Sequence, residues 1–317
     1  MLTLELGRIV FLVGALVALN YKSRVGVTPG GIIVPGIFAL LLFTGIVPFI
    51  YLLLMGWLCH ILSKYLFRRF ALTRPLYNAL TVFLSALLHV IAFYLFPEIR
   101  LFNQELLIMS VVVPGLTAIN MNKYGVKKVI VSILLCSIVA YMFGALVQAI
   151  IPLQLLSEGT FRLGNYKDFP IRYMVLLVLP VLALEIFVLY KFKLKSGGYT
   201  ALAIIAIITI LSPIQAIMII LSIILCVISV KLAMKFTDII GLEKFVLCLV
   251  FAYFLVTVMD TIAMNFNLGD YRVSAAIIMT SIAIIANDLC VQPIKETLAK
   301  ATIPVYIFAV ILAWIII

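Results

Sequence analysis

The sequence predicts an all-α polytopic membrane protein with about twelve transmembrane segments in two parallel six-segment repeats. Three observations carry this expectation. The 317 residues are 66% hydrophobic and only 11% charged, less than half the charge of an average soluble domain. Twelve apolar runs follow one another with short polar or basic connections, and a full crossing needs about 20 such residues. The basic residues concentrate in alternate connections, as cytoplasmic loops do. The net charge of +11 would also suit a nucleic-acid binder. Here, however, the lysines and arginines are scattered through inter-helix loops instead of forming one face, so no nucleic-acid partner is expected.

The first run, Leu6–Leu19, is led by Glu5 and Arg8 and followed by Lys22 and Arg24. A cleaved signal peptide carries its charge in front, so a retained helix with an external N-terminus is expected. Before and into the second run, Gly31–Phe43, stands Gly26-Val27-Thr28-Pro29-Gly30-Gly31-Ile32-Ile33-Val34-Pro35-Gly36. Proline lacks an N–H and clashes with the preceding turn, and glycine loosens the backbone, so this segment is expected to be broken. Backbone groups freed inside a bilayer persist only against protein or water. The run alone reaches about 20 Å as a helix, so Val25–Gly30 must extend it across. Alanine at Gly30 and Gly31 is expected to favour a regular helix.

Runs three and four, Ile46–Leu62 and Leu76–Phe96, are uninterrupted. Run five, Leu106–Met121, contains a shorter echo of the first motif, Val111-Val112-Val113-Pro114-Gly115-Leu116, and is the second broken segment. Two interrupted helices at related places point to a binding site or path. Run six is Val129–Ile151. The second half supplies Tyr173–Tyr190, Tyr199–Leu211, Ile214–Val230, Phe245–Asn265, Val273–Ala286 and Ile303–Ile317.

Charge assigns the sides. After the odd-numbered runs come Lys22 and Arg24; Lys64, Arg68, Arg69 and Arg74; Lys123, Lys127 and Lys128; Lys191, Lys193 and Lys195; Lys231, Lys235 and Lys244; and Lys295 and Lys300. Only Arg8, Arg100, Arg162, Lys167, Arg172 and Arg272 fall on the other side. The basic side is cytoplasmic, so both termini are expected outside and every run is expected to cross. The halves also correspond. Gly30-Gly31 recurs as Gly197-Gly198 167 positions later, and Val112–Leu116 lies over Ile278–Ile282 166 positions later. An even number of runs per half makes the repeats parallel. The expected organisation is a first membrane repeat over residues 1–151, an external linker over 152–172, and a second, degenerate membrane repeat over 173–317.

The chemistry-bearing residues are few. There is no GxxxxGK[ST], no HExxH and no long loop to hold a nucleotide, so neither a cofactor nor a metal is expected. Cys59, Cys136, Cys226, Cys248 and Cys290 lie in or beside apolar runs without a CxxC pair and read as small buried hydrophobes. His60 and His89 read as packed histidines rather than proton relays. Glu185 and Asp260 lie deepest in apolar runs, where a charge costs at least about 2.5 kcal/mol. Glu185 either faces a partner or snorkels to Lys191 or Lys193, and Asp260 reaches external water. Asn120, Asn122, Lys123 and Tyr124 at the exit of run five either cap the helix or present amide and ammonium donors to an anion.

The paired GxxPxGxxxPG and VPG motifs, with Lys123 and Gly125 following the second, resemble the CapC/PgsC family, the membrane subunit of bacterial poly-γ-glutamate capsule synthesis. The resemblance covers mainly residues 1–150. Ser23 and Arg24 stand where the family carries an acidic residue, and the second half lacks both Pro-Gly pairs. The resemblance implies a non-catalytic subunit in the bacterial cytoplasmic membrane. Its implied partners are a Mur-ligase-like ATP-dependent amide ligase, other capsule-synthesis subunits and the anionic polymer, which is poly-γ-glutamate or a related γ-linked chain. The residues expected to line a polymer path or docking surface are Arg24, Gly26, Pro29, Gly30, Gly31, Pro35, Gly36, Pro114, Gly115, Asn120 and Lys123. Two rival readings remain on the sequence: a stand-alone secondary transporter for an anionic amino acid, and a membrane scaffold.

Overall fold

Apolar runs without charge interruptions close their backbone hydrogen bonds locally, and the regular secondary structure among the described residues is all helix. The computed structural model describes residues 4–67, 69–70, 72–95, 111–150, 171–198, 200–239, 241–265 and 275–316. The expected 152–172 linker falls almost wholly outside them, as does the start of run five. Among the described residues there are twelve helices: α1 Leu4–Val25, α2 Val34–Thr44, α3 Ile46–Phe67, α4 Arg74–Leu95, α5 Val113–Tyr124, α6 Val126–Ile150, α7 Ile171–Phe192, α8 Ala201–Leu211, α9 Pro213–Ala233, α10 Leu242–Asn265, α11 Ala275–Val291 and α12 Ile294–Ile316. The last contains a π-helical turn at Leu298–Thr302. Seven of the described helices are long and apolar enough to cross a membrane.

The chain divides into two compact units, Met1–Asn165 and Tyr166–Ile317. In the first, α2 packs between α1 and α6, while α5 packs on α3, α4 and α6. Every residue of α2 from Val34 to Leu41 is buried, which suits a helix that is apolar all round. With 11 residues, it covers only about 16 Å. A single residue, Gly45, turns the chain into α3, and Gly125 does the same between α5 and α6. In the second unit, α8 packs against α12, α9, α11 and α7, and α11 packs on α9 and α10. Residues Ala201 to Ile208 of α8 are all buried.

The outward faces are apolar. Ile50, Leu54, Trp57 and Ile61 on α3, Leu135, Val139 and Met142 on α6, and Ile217, Leu221, Ile224 and Ile228 on α9 are exposed. Faces this apolar suit hydrocarbon rather than water. The interior instead uses small polar residues, Ser63, Thr81, Ser85, Thr117, Ser132 and Ser137, which let helix backbones approach closely. The chain is a multi-pass membrane protein.

Candidate functional site

The stretch between α1 and α2 is a non-helical turn, and its glycines have separate jobs. Gly26 (φ 76°) ends α1, donating its N–H to the Lys22 carbonyl at 2.8 Å. Gly30 (φ 69°) and Gly31 (φ 133°) also lie in the left-handed region, which side chains with a Cβ adopt only under strain. Alanine there would therefore strain the turn instead of restoring a helix, contrary to the expectation from propensity alone. Pro29 and Gly30 are buried. A Cβ on Gly30 would lie 2.9 Å from Ile133 Cδ1 and 3.1 Å from Thr117 Oγ1, and one on Gly31 would touch Leu116 at 3.7 Å. The turn is thus laid on α5, just past Pro114 and Gly115, and on α6. The two proline–glycine motifs, some eighty residues apart in sequence, meet here.

Pro35 and Pro114 occupy the first turns of α2 and α5, where a missing N–H leaves no helix bond unmade. Gly36 faces α1: an added Cβ would stand 2.6 Å from the Phe11 carbonyl oxygen, with Gly14 opposite it. Gly115 faces α4, where a Cβ would lie 2.8 Å from Val82 Cα. These two glycines permit backbone-to-backbone helix contact. Asn120 donates its side-chain N–H to the Leu116 carbonyl at 2.8 Å, so it is tied to its own helix, while the Gly125 N–H caps the Met121 carbonyl. Arg24 and Lys123 are exposed, with Lys123 Nζ 4.5 Å from the centre of the Tyr124 ring.

Hydrogen bonds draw the basic loops of the first unit to one end. The hydroxyls of Thr28 and Tyr124 are 3.4 Å apart. Asn122 Nδ2 donates to Tyr77 Oη at 2.8 Å and to Ser63 Oγ at 3.4 Å. These contacts place the ends of α1, α3 and α5 beside the starts of α4 and α6. Lys22, Arg24, Lys64, Arg69, Arg74, Lys123, Lys127 and Lys128 therefore share that end. An open cavity of about 670 Å³ there is lined by His60, Ile61, Lys64, Tyr65 and Arg69. Tyr77 and Ser63 escape sequence reasoning, because each is one ordinary polar residue near a helix end. Asn122, two residues beyond Asn120, was the visible signal.

The second unit contains a comparable turn. Gly197 (φ 125°) and Gly198 (φ 88°) rest on Ile285 and Ile284 of α11, and the Lys195 backbone N–H donates to Gln292 Oε1 at 2.8 Å. Glu185 is buried and does not snorkel: Lys191 lies over the rings of Phe187 and Phe192, and Lys193 over that of Tyr190. His89 is buried, its Nδ1 3.3 Å from the Tyr51 hydroxyl.

The sequence model of the family described as Capsule biosynthesis CapC matches residues 13–130 and again 181–298. The chain belongs to the CapC family. The two matches span most of the chain and include both glycine turns, so the match to CapC extends into the half that lacks Pro-Gly pairs. No curated protein and no solved structure matched the chain. As a CapC protein it is a membrane component of capsule biosynthesis that works with other capsule-synthesis subunits.

Proposed function

We propose that this CapC chain is the integral membrane subunit of a poly-γ-glutamate-type synthesis and export complex. In this reading it is itself non-catalytic. It docks a Mur-ligase-like ATP-dependent amide ligase at its cytoplasmic end and helps the polyanionic product across the bacterial cytoplasmic membrane. The observation that carries this is the arrangement around the first glycine turn. Its buried part lies against α5 and α6, with Gly30 on Thr117 and Ile133 and Thr28 beside the Tyr124 hydroxyl, and the exposed cations Arg24, Lys123, Lys127 and Lys128 stand next to it. A rigid turn holding a basic rim suits a polymer with one carboxylate per unit, or an acidic face of the ligase. Arg24, Gly26 and Lys123 belong to the rim. Pro29, Gly30, Gly31, Pro35, Gly36, Pro114, Gly115 and Asn120 hold the turn and the two short helices beneath it.

In the same reading the chain is an internal duplication. One family model matches twice, 168 positions apart. The short buried helices α2 and α8 have 11 residues each, and corresponding helices keep corresponding neighbours in the two units. We assign residues 1–151 and 173–317 to the repeats and 152–172 to an external linker, with twelve crossings and both termini outside. The test is to purify the complex carrying Gly30→Ala and Gly31→Ala and to assay ligase co-purification and polymer output separately. Intact assembly with lost output supports a path at the turn. Lost assembly moves the turn to ligase docking. Normal assembly and output would refute a role for the turn.

A further inference from the structure

The second unit buries two carboxyl groups beside its glycine turn. Glu185, on α7, is 5% exposed, and Asp288, on α11, is 7% exposed. They lie close enough to repel one another if both are ionised. Near Asp288 lie the Gly198 backbone N–H, the Asn287 side chain and the Lys195 ammonium. Glu185 has less around it. Neither of its oxygens has a formed hydrogen bond, although the Ser196 hydroxyl lies near. The π-helical turn Leu298–Thr302 of α12 packs against α7. At and beside it the Thr297 and Thr302 hydroxyls are likewise buried without partners, and such turns often mark functional sites. A bare carboxylate cannot persist in apolar surroundings beside a second one, so a positive charge must join it.

We propose that Glu185 and Asp288 form a binding site for one small monovalent cation, a proton or Na⁺, held by carboxyl, hydroxyl and turn oxygens. Hard oxygen donors suit either ion. The other titratable groups facing the pair are Lys195 on the turn and Cys248 on α10, with Cys226 and Lys244 next to Cys248. The part of α8 against them is wholly aliphatic, and on α12 Glu296 is tied to Lys300 at the surface.

The experiment uses the purified full-length chain in lipid nanodiscs. Its Tm is measured against NaCl, with choline chloride holding ionic strength constant, and separately against pH without Na⁺. If Na⁺ is the ligand, Tm rises with Na⁺ by about 3–5 °C per tenfold change below saturation. If the site keeps a proton that the unfolded chain releases, Tm instead falls as pH rises and Na⁺ has no effect. Either response should vanish in Glu185→Gln, which mimics the neutral acid, or in Asp288→Asn should the first variant fold poorly. Infrared spectra of the wild type give a check that needs no variant, through the carbonyl band of a protonated buried carboxyl. That band persists at neutral pH in the proton case and is lost on adding Na⁺ in the other. Tm profiles of wild type and variant that run parallel in both titrations, or the absence of both the band and any Na⁺ response, would overturn the proposal.

Discussion

The sharpest consequence of the packing concerns Gly36. Alanine there would place its Cβ 2.6 Å from the Phe11 carbonyl oxygen and 3.0 Å from Phe11 Cα, whereas ordinary contact begins at 3.4 Å. Both obstructing atoms are helix backbone and cannot rotate aside. Helices α1 and α2 would therefore have to part by about 0.8 Å. Because α2 is buried on all sides from Val34 to Leu41, that displacement is passed on to α6. Overpacking of this kind costs about 1–3 kcal/mol, and the backbone origin of the clash places Gly36→Ala in the upper half of that range. The expected fall in Tm is about 5–10 °C. Gly26→Ala is the control. It has a comparable local signature, a glycine in the same motif, but open space around its Cβ position. Its only cost is the left-handed backbone, about 1 kcal/mol. Thermal unfolding of both variants in the same nanodiscs compares them directly. A wild-type Tm for Gly36→Ala, or an equal loss in both, would refute the close-approach argument.

Three other outcomes are expected. Arg24→Glu with Lys123→Glu should weaken retention of the capsule-synthesis partner and cut polymer output, with Tm unchanged, because both side chains are exposed; a pull-down at low and high salt reads this, and unaltered retention would count against the basic rim. Tyr77→Phe removes the 2.8 Å bond from Asn122 and should destabilise the chain by about 1 kcal/mol, visible as a small fall in Tm. Single cysteines at Arg69 and Lys235 should react with an impermeant thiol reagent only from the cytoplasmic side; labelling from outside would overturn the charge-based topology.

Residue order alone made the helices and their breaks legible. Hydropathy acts over the length of a run, and proline and glycine act on the one or two turns they occupy, so the non-helical stretch before α2 could be marked at Pro29–Gly31, while Pro35–Gly36 and Pro114–Gly115 turn out to lie in the unbroken first turns of α2 and α5. The CapC motifs were visible for the same reason. What the glycines do was decided only in three dimensions. Gly26, Gly30 and Gly31 hold a left-handed turn, whereas Gly36 and Gly115 seat one helix backbone on another, and nothing within a few residues distinguishes these tasks. The central position of α2 and α8 likewise escapes a one-dimensional reading, because an apolar helix looks the same whether lipid or protein surrounds it. The meeting of Asn122 with Tyr77 and Ser63, and the burial of Glu185 and Asp288 in one unit, depend on how far each helix is rotated and where it crosses its neighbours. Those quantities come from packing summed over the whole unit, and no single segment encodes them.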